Sequence, residues 1–205
     1  MRLTPDIPPL WPFPPAWRDW AGRVPDRYWA PTAAVLMLAA VAGIGIAARE
    51  PLLFASLGPS AYLAAHKPRE RSASFHNVFL GHMIGLGAGF FAVFLLHAWT
   101  APITFVNSYS IAPIRLACVA LAVFLSLFAD SLLHIDHAAT EATTILVATG
   151  FFRTAKDALM VVQAVAIVAI LSELFRRVRA GEPHGEGLPA QLPASPDRLP
   201  DRLRT

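Results

Sequence analysis

Residues 30–48 read APTAAVLMLAAVAGIGIAA, nineteen positions without Asp, Glu, Lys or Arg. At roughly 1.5 Å of rise per residue, a helix of that length just crosses the ~30 Å hydrocarbon layer of a bilayer. Arg49 and Glu50 stop the run. A second apolar run, Pro51 to His66, follows at once but is short, and Lys67, Arg69, Glu70 and Arg71 close it with a charged loop. From Ser72 to Ile114 there is again no charged residue; Val78 to Ala98 reads as the helix in that stretch and Thr100 to Ser110 as a turn-rich loop. A fourth run, Ala112 to Leu133, carries Arg115 and Asp130. A fifth, Ala138 to Phe152, is short and contains Glu141. The last, Ala155 to Phe175, ends in Arg176, Arg177 and Arg179. The expected fold is an all-α membrane protein of six apolar helical segments, four long and two short.

Composition agrees. The chain has 205 residues, enough for one compact unit. It is 55% hydrophobic and only 15% charged, against about 25% charged in soluble chains, and the mean hydropathy is +0.49. These values exclude an ordinary soluble enzyme. A net charge of +3 would suggest nucleic acid in a soluble protein. Here the basic residues flank apolar runs, which is membrane topology chemistry. Cys118 is the single cysteine, so there is no intrachain disulfide or zinc finger; in its apolar run it reads as a buried, inert thiol. The chain has no P-loop, G-x-G-x-x-G, His-Glu-x-x-His or Gly-x-Ser-x-Gly motif. No enzyme activity and no cofactor are expected.

The ends differ from the middle. Pro5, Pro8, Pro9, Pro12, Pro14, Pro15 and Pro25 stand among Trp11, Trp17, Trp20 and Trp29. Proline breaks helices and tryptophan favours the membrane interface. Residues 1–29 therefore read as a surface tail, with a short helix near Ala16–Arg23. Residues 30–178 read as the transmembrane domain, and 179–205, rich in Pro and charge, as a disordered tail. The short segments reach only ~22 Å as helices and either cross a protein-lined region or re-enter. With all six crossing and the N-terminus inside, 13 basic residues fall on the cytoplasmic side and 4 (Arg49, Arg115, Arg153 and Lys156) outside. The positive-inside rule favours that arrangement. The bacterial cytoplasmic (inner) membrane is the expected location.

The order long, short, long occurs twice, over 30–98 and 112–175. Both short segments are rich in small and hydroxyl residues: Gly58, Ser60 and Ala61 in the first, Thr140, Glu141, Thr143 and Thr144 in the second. Three crossings per half would invert the second half relative to the first, a pattern of secondary transporters whose site lies near the midplane. Free amides at the start of a short helix favour an anion, with Ser60, Thr140, Thr143 and Thr144 as added donors. The plainer reading of Gly58, Ser60, Ala61 and Gly81 is close helix packing in lipid.

The stretches Ala55-Ser56-Leu57-Gly58-Pro59-Ser60-Ala61 and Asn77-Val78-Phe79-Leu80-Gly81-His82, joined by the Lys67–Arg71 loop, resemble the HPP family of membrane proteins. That family carries a Gly-Ala-Ser-Ala-like segment, a short loop and then Asn-Val-x-x-Gly-His. Its name-giving motif, His-Pro-Pro-Ala-Gly-Ala-Thr-Ala, matches His137-Ala138-Ala139-Thr140-Glu141-Ala142-Thr143-Thr144 at the histidine and the Ala-Thr pair. Ala138, Ala139 and Glu141 replace the two prolines and the glycine. The resemblance covers residues 30–175 and implies a four-spanning protein; plant and cyanobacterial members linked to nitrite transport imply a small inorganic anion as solute.

Ionisable groups inside apolar segments are costly and point to function. His82, with an unperturbed pKa of about 6.5, reads either as a proton carrier or as a histidine bonded to a neighbouring carbonyl. Asn77 lies five positions before it, and His97 falls near the interface at the far end of the same helix. His134, Asp136, His137 and Glu141 form the densest polar cluster. His137 and Glu141 share a face if a helix starts there, with Asp136 as its cap. The cluster reads as structural pairing, as a proton-coupling site centred on Glu141, or as a transition-metal site. Arg115 reads as snorkelling to the interface or as facing the solute path.

The residues converge on a transporter or channel for a small anion such as nitrite. Gly58, Ser60, Asn77, His82, His137, Thr140, Glu141 and Thr143 are its candidate site. A membrane-embedded metal-binding protein and a structural or regulatory subunit are the alternatives. The lipid bilayer, a small inorganic anion and a second copy in a homodimer are the expected partners, with no role for nucleic acid.

Overall fold

The computed structural model describes residues 20–102 and 112–180, and every regular element among them is helical. The long helices are α1 (Asp26–Ala48), α3 (Phe75–Leu95), α4 (Pro113–Leu133) and α6 (Ala155–Ala180); the short ones are α2 (Leu57–His66) and α5 (Thr140–Ala148). Single 3-10 turns occupy Arg71–Ala73 and Ala98–Thr100. The four long helices are long and apolar enough to cross a membrane. At 10 and 9 residues, α2 and α5 reach only about 15 Å and cannot.

Local chemistry sets these boundaries. Asp26 opens α1 with a negative charge where the helix dipole favours one. Ser74 caps α3, its hydroxyl accepting from the Asn77 amide at 3.4 Å. Pro113 starts α4, at a position whose amide would have no helical partner. Asp157 and Thr154 cap α6 reciprocally: the Asp157 carboxylate accepts from the Arg153 and Thr154 amides, and the Thr154 hydroxyl accepts from the Asp157 amide.

The helix starts differ from the hydropathy reading where caps outrank apolarity. α1 begins four residues before Ala30 and α3 three before Val78, because Asp26 and Ser74 start helices in polar surroundings. α6 continues to Ala180, carried past Phe175 by ion pairs from Glu173 to Arg176 and Arg177 at 2.6 and 2.8 Å. Residues 20–23 are helical, in line with the short helix near Ala16–Arg23. The rest of that tail, most of the Thr100–Ser110 loop and the C-terminal tail lie outside the described residues.

The short runs are not helices throughout. Residues 51–54 and 135–137 have no regular secondary structure, and each stretch leads into a short helix. The same hydrogen bonds precede both. Arg49 and His134 adopt left-handed conformations, φ 58° and 55°. Glu50 then donates to the Gly45 carbonyl and Ile135 to the Asp130 carbonyl, both at 2.9 Å, the six-to-one bond that terminates a helix sharply. The Leu57 amide donates to Phe54 and the Thr140 amide to His137, starting each short helix with a three-residue turn. Thr140 therefore opens α5. Ala139, not Asp136, stands at its cap position, and His137 lies ahead of the helix rather than on one face with Glu141.

Contacts at the helix ends fix where the chain runs. At one end Arg179 reaches Asp26 and the Ala21 carbonyl, Arg176 donates to the Pro68 carbonyl at 2.7 Å and Arg71 to the His134 carbonyl at 3.4 Å. At the other, Lys156 pairs with Glu50 at 3.0 Å, and Arg115 and Arg153 converge on the Ala101 carbonyl. The chain thus changes ends within each unit of irregular segment plus short helix as well as along each long helix. Hydrogen bonding to Glu70 at 2.8 Å raises the Lys67 ammonium above its ordinary pKa, and the same bond lowers the Glu70 carboxyl.

The core is mostly alanine and valine. Val41, Leu57, Val78, Val147, Val161, Val165 and Val168 meet at its centre. Outward-facing positions of α4 are large and apolar: Leu116, Phe124, Leu127, Phe128 and Leu132 are all exposed. That inversion, with polar groups inside and large apolar side chains outside, suits a bilayer. Along α3, Gly81, Gly85 and Gly89 form one stripe against α5. A Cβ on them would meet the Thr140 hydroxyl at 2.4 Å, the Thr144 hydroxyl at 2.6 Å and the Val147 Cβ at 2.6 Å respectively. The glycines let the two backbones approach as only small residues permit.

Candidate functional site

The bond-rich polar cluster forms where the two irregular segments deliver their short helices. Ser60, on the first turn of α2, lies with its hydroxyl 2.8 Å from His82 Nε2 and 2.9 Å from His137 Nε2. α3 supplies His82, one residue past the glycine that seats α5. The segment before α5 supplies His137. The two rings meet edge to face with centroids 5.2 Å apart. His82 Nδ1 lies 2.6 Å from the Thr143 hydroxyl, whose oxygen is 2.9 Å from that of Ser56. His137 Nδ1 donates to the Ser72 carbonyl at 2.8 Å.

Ser56, Ser60, His82 and Thr143 are fully buried, and His137 is 3% exposed. Burying five polar side chains in an apolar bundle is costly unless each is hydrogen-bonded, and here each is. His82 sits seven residues into α3, about 10 Å from its start. The cluster therefore lies within about 5 Å of the middle of α3, on its Lys67 side.

Four of the candidate residues, Ser60, His82, His137 and Thr143, are joined directly. The other four stand apart. Thr140 is fully buried beside Gly81, but its hydroxyl makes no hydrogen bond. Asn77 donates to the Arg71 carbonyl at 2.6 Å and holds the turn before α3. Glu141, in the first turn of α5, has both carboxylate oxygens buried and without a hydrogen bond, near Asp130 of α4. Gly58 faces open space, with nothing within 4 Å of a Cβ placed there, so neither close packing nor a close ligand approach requires glycine.

The amides at the start of α2 are not the free anion cradle expected. Leu57 and Gly58 donate to the Phe54 and Ala55 carbonyls, and Pro59 has no amide hydrogen. At α5 the Glu141 side chain already places a carboxylate beside the positive end of the helix. Side-chain hydroxyls and imidazoles, not helix termini, are the donors of this site.

The proposed metal cluster does not assemble. His137 turns inward to Ser60 and Ser72, while His134 and Asp136 are exposed, and no group of three His, Cys, Asp or Glu among the described residues is placed to hold a metal ion. Arg115 does not snorkel. It is completely buried and donates to the carbonyls of Ala101 at 2.9 Å, Ala148 at 3.3 Å and Pro102 at 3.3 Å. Gly150, at φ 93°, leaves room for it, since a Cβ there would lie 2.7 Å from the guanidinium carbon. Arg115 ties α4 to the end of α5. His97 is exposed just past the end of α3.

Ser56 and Ser126 escaped the sequence reading. Ser56 stands four positions before Ser60, a spacing that puts two residues on one helix face. Ser126 bonds Thr144 across the α4–α5 contact at 3.2 Å, and within a long apolar run nothing marked it out.

A bundle with lipid-length helices, apolar outside and hydrogen-bonded within, is a multi-pass helical membrane protein. The family pattern described as HPP, transmembrane region, matches residues 20–180, and the chain belongs to that family. No curated protein and no solved structure matches it.

Proposed function

We propose that this protein is a membrane carrier for a small inorganic anion, with the Ser56–Ser60–His82–His137–Thr143 cluster as its binding site. The observation that carries the reading is Ser60, a buried hydroxyl held between two buried imidazoles at 2.8 and 2.9 Å. A packing role does not call for five mutually bonded polar side chains contributed by four separate chain segments. Hydroxyl and imidazole hydrogens are donors for an anion's oxygens, and the hydrogen-bonded cluster itself contains no carboxylate. Nitrite, with two acceptor oxygens, is the first solute to test, in line with the family resemblance.

The matching turns before α2 and α5 support a further part of the reading: that residues 30–98 and 112–175 are an inverted pair of three-segment units. The site would then lie where the two units meet, and rocking of one unit against the other would expose it alternately. Lys67, Arg69, Arg71 and the arginines ending α6 support placing the Lys67 end in the cytoplasm.

Uptake of nitrite into proteoliposomes tests the reading. Wild-type protein is expected to exceed empty liposomes, and His137→Ala to fall to the empty-liposome rate while retaining its helical content by circular dichroism. Equal uptake by the folded variant and wild type would refute the assigned site.

A further inference from the structure

The cluster is a single file of hydrogen bonds whose two ends differ in chemistry, and that difference fixes where each hydrogen lies. A carbonyl only accepts, so His137 Nδ1, 2.8 Å from the Ser72 oxygen, carries a hydrogen. With both imidazoles neutral, His137 Nε2 is then a bare nitrogen and takes the Ser60 hydroxyl hydrogen. The Ser60 oxygen accepts from His82 Nε2. His82 Nδ1 is the second bare nitrogen and takes the Thr143 hydrogen. The Thr143 and Ser56 oxygens, 2.9 Å apart, are bonded through the Ser56 hydrogen.

One added proton reverses every bond from His137 Nε2 to Ser56 without moving a heavy atom, while the bond to the Ser72 carbonyl stays as it is. His137 becomes an imidazolium whose Nε2 donates to Ser60. Ser60 donates to His82 Nε2, His82 Nδ1 to Thr143, and Thr143 to Ser56. His82 stays neutral but exchanges one tautomer for the other. The balance is one proton in and one positive charge gained, on His137. With the rings 5.2 Å apart, a second charge would be repelled by the first, so the file holds a single extra proton.

We propose that this file is a proton relay with His137 as its store, filled and emptied through Thr143 and Ser56, so that one proton binds together with the anion. The proposal rests on the carrier reading and adds its coupling ion. The Ser72 carbonyl closes the other end, because it has no hydrogen to pass on. α2 faces the file with hydroxyls only. On the segment before α5, Asp136 is exposed and acts electrostatically on His137, and His134 is exposed beside it. Arg71 reaches the His134 carbonyl. On α5, the Glu141 carboxylate makes no hydrogen bond to the file, and Asp130 of α4 lies near Glu141. Glu173 and Arg176 of α6 pair with each other at 2.6 Å. None of these groups bridges the two imidazoles, so the link between them runs through Ser60.

Nitrogen-15 NMR of the full chain, labelled at histidine and held in lipid nanodiscs, tests this without any transport assay. Signals are assigned from His82→Gln and His137→Gln. At neutral pH the expected forms are Nδ1–H for His137 and Nε2–H for His82. On acidification His137 is expected to gain a proton as His82 switches to Nδ1–H, both with one midpoint. In Ser60→Ala, His137 protonation is expected to leave the His82 tautomer unchanged; Thr143→Val gives a second break in the same file. A His82 that keeps its tautomer, two separate midpoints in wild type, or no protonation of His137 over the pH range in which the protein stays folded would overturn the relay. Failure of nitrite uptake with the coupled switch intact would instead count against the carrier reading alone.

Discussion

Gly85→Leu is expected to leave little folded protein. The new Cβ would stand 2.6 Å from the Thr144 hydroxyl and 2.8 Å from the Thr140 carbonyl oxygen. The second of these is backbone in α5 and cannot rotate aside. Overpacking a core costs about 1–3 kcal/mol when side chains can yield, and more when they cannot; here a loss of about 3 kcal/mol or more is expected. Separating α5 from α3 would also pull Thr143 away from His82. Gly87, two positions on, is exposed with nothing within 4 Å of its Cβ position, so Gly87→Leu is expected to change stability by less than about 0.5 kcal/mol. Thermal unfolding of the two variants in detergent, followed by circular dichroism, checks the pair. Equal stability would mean that the glycine stripe does not set the α3–α5 contact.

The second large effect is expected at Ser60. Ser60→Ala removes the hydroxyl that, alone among the described residues, touches both imidazoles, leaving His82 Nε2 and His137 Nε2 without that partner. A stranded buried polar group costs about 1–3 kcal/mol, so the variant is expected to fold with a lowered melting temperature. Nitrite uptake is expected to fall at least about tenfold, equivalent to about 1.4 kcal/mol of lost stabilisation. Ser131→Ala, at an exposed position near the end of α4, is expected to leave uptake unchanged. Parallel uptake measurements on the two variants, normalised to reconstituted protein, separate a site effect from a general loss of hydroxyl content.

How much of this was visible in the sequence depended on the kind of interaction. The four long helices were legible because bilayer thickness demands a length that charge-free runs such as 30–48 display directly. Their starts were less so, since Asp26 and Ser74 begin helices by capping rather than by hydropathy. The division of each short run into an irregular piece and a helix was hidden. It depends on Arg49 and His134 adopting a left-handed conformation, which glycine would have signalled and these residues do not. Ser60, His82, His137 and Thr143 were found because polar side chains in apolar segments are conspicuous. Their partnership was not readable, because Ser60 and His137 are 77 positions apart and meet only once α3 and α5 have packed through glycine. Arg115 was misjudged for a related reason. Its acceptors are backbone carbonyls at the end of α5 and beside the Ala98–Thr100 turn, and no residue type announces a carbonyl.

The central claim is that the buried hydroxyl–imidazole cluster is a solute site that opens in turn to each side of the membrane. Labelling of Ser60→Cys, in a chain whose single native cysteine is replaced by Cys118→Ala, tests it most directly. A small, charged, membrane-impermeant thiol reagent is applied from one side or the other of oriented proteoliposomes. Modification from both sides, slowed by nitrite and not by chloride, is the predicted result. A thiol at position 60 that stays unmodified from either side, in protein that is folded, would contradict the account and leave the cluster as a structural clasp between α2, α3 and α5.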